Sequence, residues 1–112
     1  MFLKFRVAPK LAVAAIAFFS APLLAATQSA SGQIDTLYAA QGTNFAFRVF
    51  LTGVNPLCTG GSNWAYTNVA DDNYKVYVST LTTAFALGKP VNLTVEVVNG
   101  QCHIVEVFIR SN

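Results

Sequence analysis

Charge is scarce in this chain: seven basic and five acidic residues among 112, or 11% of the sequence. Lys4, Arg6 and Lys10 crowd the first ten positions, so only Arg48, Lys75, Lys89 and Arg110 face Asp35, Asp71, Asp72, Glu96 and Glu106 over the rest. A nucleic-acid binder needs a basic face to neutralise phosphates, and none can be assembled from four scattered cations. Histidine occurs once, at His103, and cysteine twice, at Cys58 and Cys102. Three such residues cannot complete a tetrahedral zinc site, so no metal is expected. Gly-x-Ser-x-Gly and His-Glu-x-x-His are both missing, and Thr59-Gly60-Gly61-Ser62 does not run into the Lys-Ser/Thr start of a phosphate-binding helix. No cofactor is called for, and an enzyme is the least supported functional class.

What is present begins with an address. The basic residues of MFLKFRVAPK precede an apolar run, Leu11 to Phe19, and then Ser20, Ala21, Pro22 and LLAAT. That is the pattern of a secretory signal peptide, cleaved after Ala25 or Ala26. The apolar run is shorter than the roughly 20 residues of a membrane span, so no stable span is expected after cleavage. The expectation is residues 1–26 as signal and 27–112 as one exported domain, periplasmic or secreted. In an oxidising compartment two cysteines allow a single internal pairing, Cys58 with Cys102.

Alternation marks the strands. In FAFRVFLT, Phe45, Phe47, Val49 and Leu51 alternate with Ala46, Arg48, Phe50 and Thr52, the period of a strand with one buried face. A first strand is expected over Gln33–Ala40 and a third over Trp64–Val69, with TQSASG (27–32) a mobile N-terminus and GVNPLCTGGSN (53–63) a loop. Residues 71–87 carry no turn signal, and Tyr74, Tyr77, Val78, Leu81, Ala84 and Phe85 repeat at helical spacing. Asp71 or Asp72 can cap the start of this helix, and Gly88 can close its end.

A hairpin follows, KPVNLTVEVVNGQCHIVEVFIRS. A two-residue Asn99-Gly100 turn would set Leu93 opposite Glu106 and mix the apolar rows. A three-residue loop, Val98 to Gly100, sets Leu93 opposite Val105 and Val91 opposite Val107 and is the expected register. It leaves Cys102 and His103 on opposite faces, with His103 a packing residue in the apolar phase. It also puts Glu96 and Glu106 about 13 Å apart along the hairpin, outside glycosidase range. The order is then β-β-β-α-β-β, that of a five-stranded OB-fold-like barrel, mostly β with one helix. A ferredoxin-like or other α+β sheet is the competing topology.

The start Gly32-Gln33-Ile34-Asp35, with YKVYVSTLTTAFALGKP running into VNLTVEV, resembles the B subunits of subtilase-cytotoxin-like and pertussis-like AB5 toxins and related small exported proteobacterial proteins. The resemblance implies an OB-fold, a pentameric ring, a toxin A-subunit partner and glycan binding. The chain lacks the cysteine those subunits carry soon after that start.

With catalysis disfavoured, the expected role is a binding module for a glycan or a protein partner. Asn63, Trp64 and Tyr66 are its candidate ligand residues, because aromatic rings beside an amide suit sugars and peptides. The alternative is an assembly subunit, a homo-oligomer joined through exposed strands.

Overall fold

The computed structural model describes residues 26–111. The expected signal peptide lies, but for Ala26, outside the described residues. Six strands and one helix follow one another as β1 (Thr27–Gly32), β2 (Ile34–Ala39), β3 (Phe47–Leu51), β4 (Ala65–Thr67), α1 (Tyr74–Leu87), β5 (Val91–Val98) and β6 (Gln101–Ile109). All six strands belong to one mixed sheet in the order β1-β5-β6-β4-β3-β2, antiparallel throughout except for the parallel β4–β6 pair. The domain is mostly β, of α+β type, with the helix inserted between the third and fourth of the expected strands.

The alternating strand forms as its pattern dictates. Phe47, Val49 and Leu51 of β3 turn inward and are buried. Val91, Leu93 and Val95 of β5 do the same with no exposure at all. Leu81 and Ala84 bring the helix onto this core, while Tyr74, Tyr77 and Val78 pack at its margin. Burying each large aliphatic side chain stabilises the fold by about 1.5–3 kcal/mol. Phe85, expected on the inward face, is 46% exposed instead, whereas Leu81 and Ala84 carry the contact. Gly88 ends the helix in the left-handed conformation (φ +66°), as expected.

Three further expectations need correction. Five strands were expected and six are present, because TQSASG is not a loose N-terminus. It pairs residue for residue with β5, from Thr27 opposite Glu96 to Gly32 opposite Val91. Its small polar side chains carry no strand signal; the backbone partners come from β5, and Ala30 is buried against the core.

The helix begins at Tyr74, with Asn73 at its N-cap and no side-chain cap, so neither Asp71 nor Asp72 starts it. Asp71 instead closes the preceding turn. Its carboxylate accepts from the Asn68 N–H at 2.8 Å and the Thr67 hydroxyl at 3.0 Å.

The hairpin turn is the two-residue one, with Asn99 and Gly100 both at positive φ (+51° and +79°) and Val98 opposite Gln101. The parity change that the apolar rows demand occurs further down, between Thr94 and Val95, where Val105 is left without a partner. Val95 therefore faces Ile104, whereas Leu93 faces Val107 and Val91 faces Ile109. Glu106 lies opposite Thr94, so the distance argument that separated it from Glu96 falls with the expected register.

The disulfide is formed as expected. Cys58 and Cys102 are bonded, 44 residues apart in sequence with Cα atoms 6.1 Å apart, and both are buried. It fastens the long loop after β3 to β6 and brings Leu57, 3% exposed, into the core. The Gln28 amide holds the same loop from the other side, donating to Thr59 O at 3.0 Å and accepting from the Thr59 N–H at 2.7 Å. Gly61 lies over the bridge, and a Cβ there would sit 2.7 Å from Cys102 Sγ and closer still to Cys58 Sγ.

Candidate functional site

Register places two rows of side chains back to back across the sheet. The inner row runs Leu37, Val49, Ala65, Cys102, Val97, and it packs in or against the core. One residue along each strand, alternation turns the neighbours outward: Tyr38, Arg48, Tyr66, His103 and Glu96 stand opposite one another across β2, β3, β4, β6 and β5. With strands about 4.8 Å apart, five positions span roughly 19 Å. The chemistry-bearing side chains of the domain are concentrated along this outer row.

At one end lies an aromatic and cationic group. The Arg48 guanidinium carbon is 4.8 Å from the Tyr38 ring centroid and 4.6 Å from that of Trp64. Its Nε donates to the Phe45 carbonyl at 3.0 Å, which fixes the plane of the group. Among the described residues no carboxylate pairs with Arg48; the ion pairs there are all made by His103. Phe45 is the first residue of the alternating FAFRVFLT segment, yet it does not continue the inward row. It adopts a left-handed backbone (φ +57°) with its N–H donated to Asn68 Oδ1 at 2.8 Å. The ring thereby swings to the outer side, 4.6 Å from Tyr66 and 5.8 Å from Trp64, edge-on to both.

At the other end the only histidine sits between two carboxylates. His103 Nε2 is 2.8 Å from Asp71 Oδ2, and Nδ1 is 3.3 Å from Glu96 Oε2. The imidazole also lies against Tyr66, with ring centroids 5.0 Å apart and planes tilted by 33°. Burial works against the charge on Asp71, but bonds from the Asn68 N–H, His103 and Thr67, with the attraction of His103, hold its carboxyl below the ordinary range. Burial raises the Tyr66 phenol above its ordinary value, and the charges of Asp71 and Glu96 add to that. Beside His103, an open depression of about 400 Å³ is walled by Asp71, Asp72 and Tyr77, whose hydroxyl donates to Val105 O at 2.7 Å.

Of the three residues expected from sequence to bind a ligand, the fold joins two. Trp64 and Tyr66 touch edge to face at 6.0 Å, but Tyr66 is 3% exposed, closed over by Phe45, Trp64 and His103. Asn63 is exposed and lines a different groove, with Asp35 and Asn55. The accessible groups beside Trp64 are Arg48, laid over its ring, and Tyr38, which the same guanidinium meets; sequence reasoning missed both. Their signal was the outward phase of β2 and β3, legible only once the register between those strands is known. His103 is likewise not the apolar packing residue expected; it occupies the outer row, while Cys102 and Ile104 point inward. Among the described residues no group of His, Cys, Asp and Glu is arranged to hold a metal ion, and no helix is long and apolar enough to cross a membrane. Searches against protein-family models, curated proteins and solved structures return no match.

Proposed function

We propose that this chain is an exported, non-catalytic binding module built as an OB-like barrel, taking its ligand on the outer surface around Tyr38, Arg48 and Trp64. The barrel reading is supported by connectivity. The two edge strands of the sheet, β1 and β2, are consecutive in sequence with only Gln33 between them, and the Gln33 carbonyl accepts from Thr52 N–H at 2.9 Å. Taken as two halves of one bent strand, they join the ends of the sheet in the order 1-2-3-5-4-1, with the third and fifth strands parallel. Barrels of this type bind oligosaccharides and oligonucleotides on the outer face of their second and third strands, and those strands are β3 and β4 here. The scarcity of basic residues argues against the nucleic acid and leaves a saccharide, with a protein partner as the other candidate. Export is supported by the N-terminal pattern and by the disulfide, which suits an oxidising environment.

The observation that carries the site is the Arg48 guanidinium laid over the Tyr38 and Trp64 rings without a carboxylate partner. Its remaining N–H groups are free to donate to hydroxyl or carboxylate oxygens, while the rings offer faces to a sugar. The non-catalytic part is supported at the histidine: both ring nitrogens are engaged by carboxylates, which leaves neither aimed at a substrate. Trp64 is the only tryptophan, so tryptophan emission, excited apart from the tyrosines, reports on this surface. Titration with a panel of neutral and acidic oligosaccharides is expected to shift its emission for at least one class, and Arg48→Gln to weaken that response about tenfold or more. A flat response across the panel, with no sugar retained by the immobilised domain, would remove the saccharide reading.

A second reading, an assembly subunit, has an observation of its own. Val76, Phe85 and Leu87 on α1, with Phe108 and Ile109 at the end of β6, are exposed apolar side chains. Association would then run through the helix and the end of β6, not the exposed strand edges expected from sequence. Sedimentation of the mature domain decides this: a monomer at high micromolar concentration counts against it.

A further inference from the structure

The outer row contains one arrangement whose proton count does not close for a neutral side chain. Ionised carboxylates only accept hydrogen bonds, and a neutral imidazole carries a single N–H. Yet both ring nitrogens of His103 face carboxylate oxygens, at 2.8 Å and 3.3 Å. With one proton, the second nitrogen would aim its lone pair at the lone pairs of an oxygen. The contacts are satisfied together only by the imidazolium, which donates to Asp71 and Glu96 at once.

We propose that His103 is a protonation-gated clamp on the ligand face. In its charged form it ties three parts of the fold to β6: the turn before α1 through Asp71, β5 through Glu96, and β4 through the Tyr66 ring. When the imidazole loses its proton, one carboxylate contact opens. Asp71 keeps its place, because Thr67 and the Asn68 N–H still donate to it. Glu96 has no other side-chain partner among the described residues, makes the longer contact and is 31% exposed, so it is the one that turns to water.

The titratable groups facing His103 are those carboxylates, Asp72 across the depression, the Tyr77 hydroxyl from α1 and the Tyr66 phenol from β4; on its own strand, Glu106 is exposed, three residues on. The ion pairs of the described residues include no cation that competes for either carboxylate.

The clamp reaches the ligand face through contact. Tyr66 lies against His103 on one side and meets Trp64 and Phe45 edge-on at 6.0 Å and 4.6 Å on the other. A change in the imidazole's charge and tilt is therefore transmitted to the ring on which the proposed ligand would rest. The inference relies on the binding reading only for what the clamp regulates; the clamp itself is observable without ligand.

The chain contains one histidine and one tryptophan, and each end of the device therefore has its own probe. Ring ¹⁵N shifts of histidine-labelled protein are followed across the pH range over which the fold persists, with Trp64 emission recorded in parallel. Expected at the acidic end is an imidazolium protonated on both nitrogens, then a single N–H tautomer bonded to Asp71 as pH rises. Trp64 emission should shift with the same midpoint.

In Glu96→Gln the amide can accept from the charged ring or, flipped, donate to the neutral one, so the contact persists and the emission step is lost. Flat Trp64 emission while His103 titrates overturns the proposal, as does a step unchanged in Glu96→Gln. A ring that stays in one neutral tautomer throughout overturns it too. Should the variant fail to fold, the coincidence or separation of the two wild-type midpoints decides alone. A blank sugar panel with an intact emission step would remove the ligand and leave the clamp.

Discussion

Replacing both Cys58 and Cys102 by alanine removes the one covalent link between the long loop after β3 and strand β6. The bridge closes a segment with a sequence separation of 44 residues. In the chain-entropy description, losing a loop of that length returns about 4 kcal/mol of freedom to the unfolded chain. The folded state should change much less. Gln28 and Thr59 still exchange two hydrogen bonds across the loop, and Leu57 still has its place in the core. Most of the effect is therefore expected in the denatured ensemble. For a domain of this size each kcal/mol moves Tm by about 4–8 °C, so a drop of roughly 15–30 °C follows. The assay is urea unfolding followed by Trp64 fluorescence. The midpoint should fall, and the slope m should rise because the uncrosslinked chain exposes more surface when unfolded. A loss below about 1 kcal/mol with unchanged m would refute the reasoning, since it would mean that the loop is held in both states by something other than the bridge.

Gly61→Ala should hinder the bridge from the outside, because the new methyl would meet both sulfurs; thiol titration of the denatured, unreduced protein is expected to find free thiols in a fraction of the chains. Leu81→Ala, at the fully buried centre of the helix contact, should cost about 2–5 kcal/mol in chemical denaturation. Asp71→Asn should destabilise the domain by about 1–2 kcal/mol at pH 7 by weakening the links to His103, Thr67 and Asn68. Since the folded-state value of Asp71 is depressed, its contribution is fully present above the unfolded value near 3.8 and is lost as pH falls through the folded value. The gap between wild type and Asp71→Asn should accordingly close below about pH 4, and a gap that widens in acid would reverse the assignment.

Much of the fold was legible where a local rule had no competitor. The alternation of Phe47, Val49 and Leu51 could only be a strand with one buried face, and the helix end at Gly88 was marked by its own residue type. Other features depended on a partner elsewhere in the chain. Asp71 looked like a helix cap because caps are local and common, whereas its hydrogen bonds come from the preceding turn and from His103, 32 residues on. Trp64 and Tyr66 were found together because they are two residues apart in the expected strand Trp64–Val69, of which Ala65–Thr67 forms. Tyr38 and Arg48 were overlooked because only strand pairing makes them neighbours.

The hairpin separates the two kinds of information. Amino-acid order alone placed a turn at Asn99-Gly100, though with Val98 counted into it, required one extra residue for the apolar rows of β5 and β6 to coincide, and left Cys58 and Cys102 a single internal pairing. Where the extra residue goes was settled in three dimensions. Both rows had to bury against the same core while Cys102 met the loop carrying Cys58, and the bulge at Val105 meets both conditions. That displacement from the turn into the strand set His103 opposite Glu96 and beneath Asp71. Count and parity are properties of a chain, but the place where a parity change costs least depends on everything packed against it.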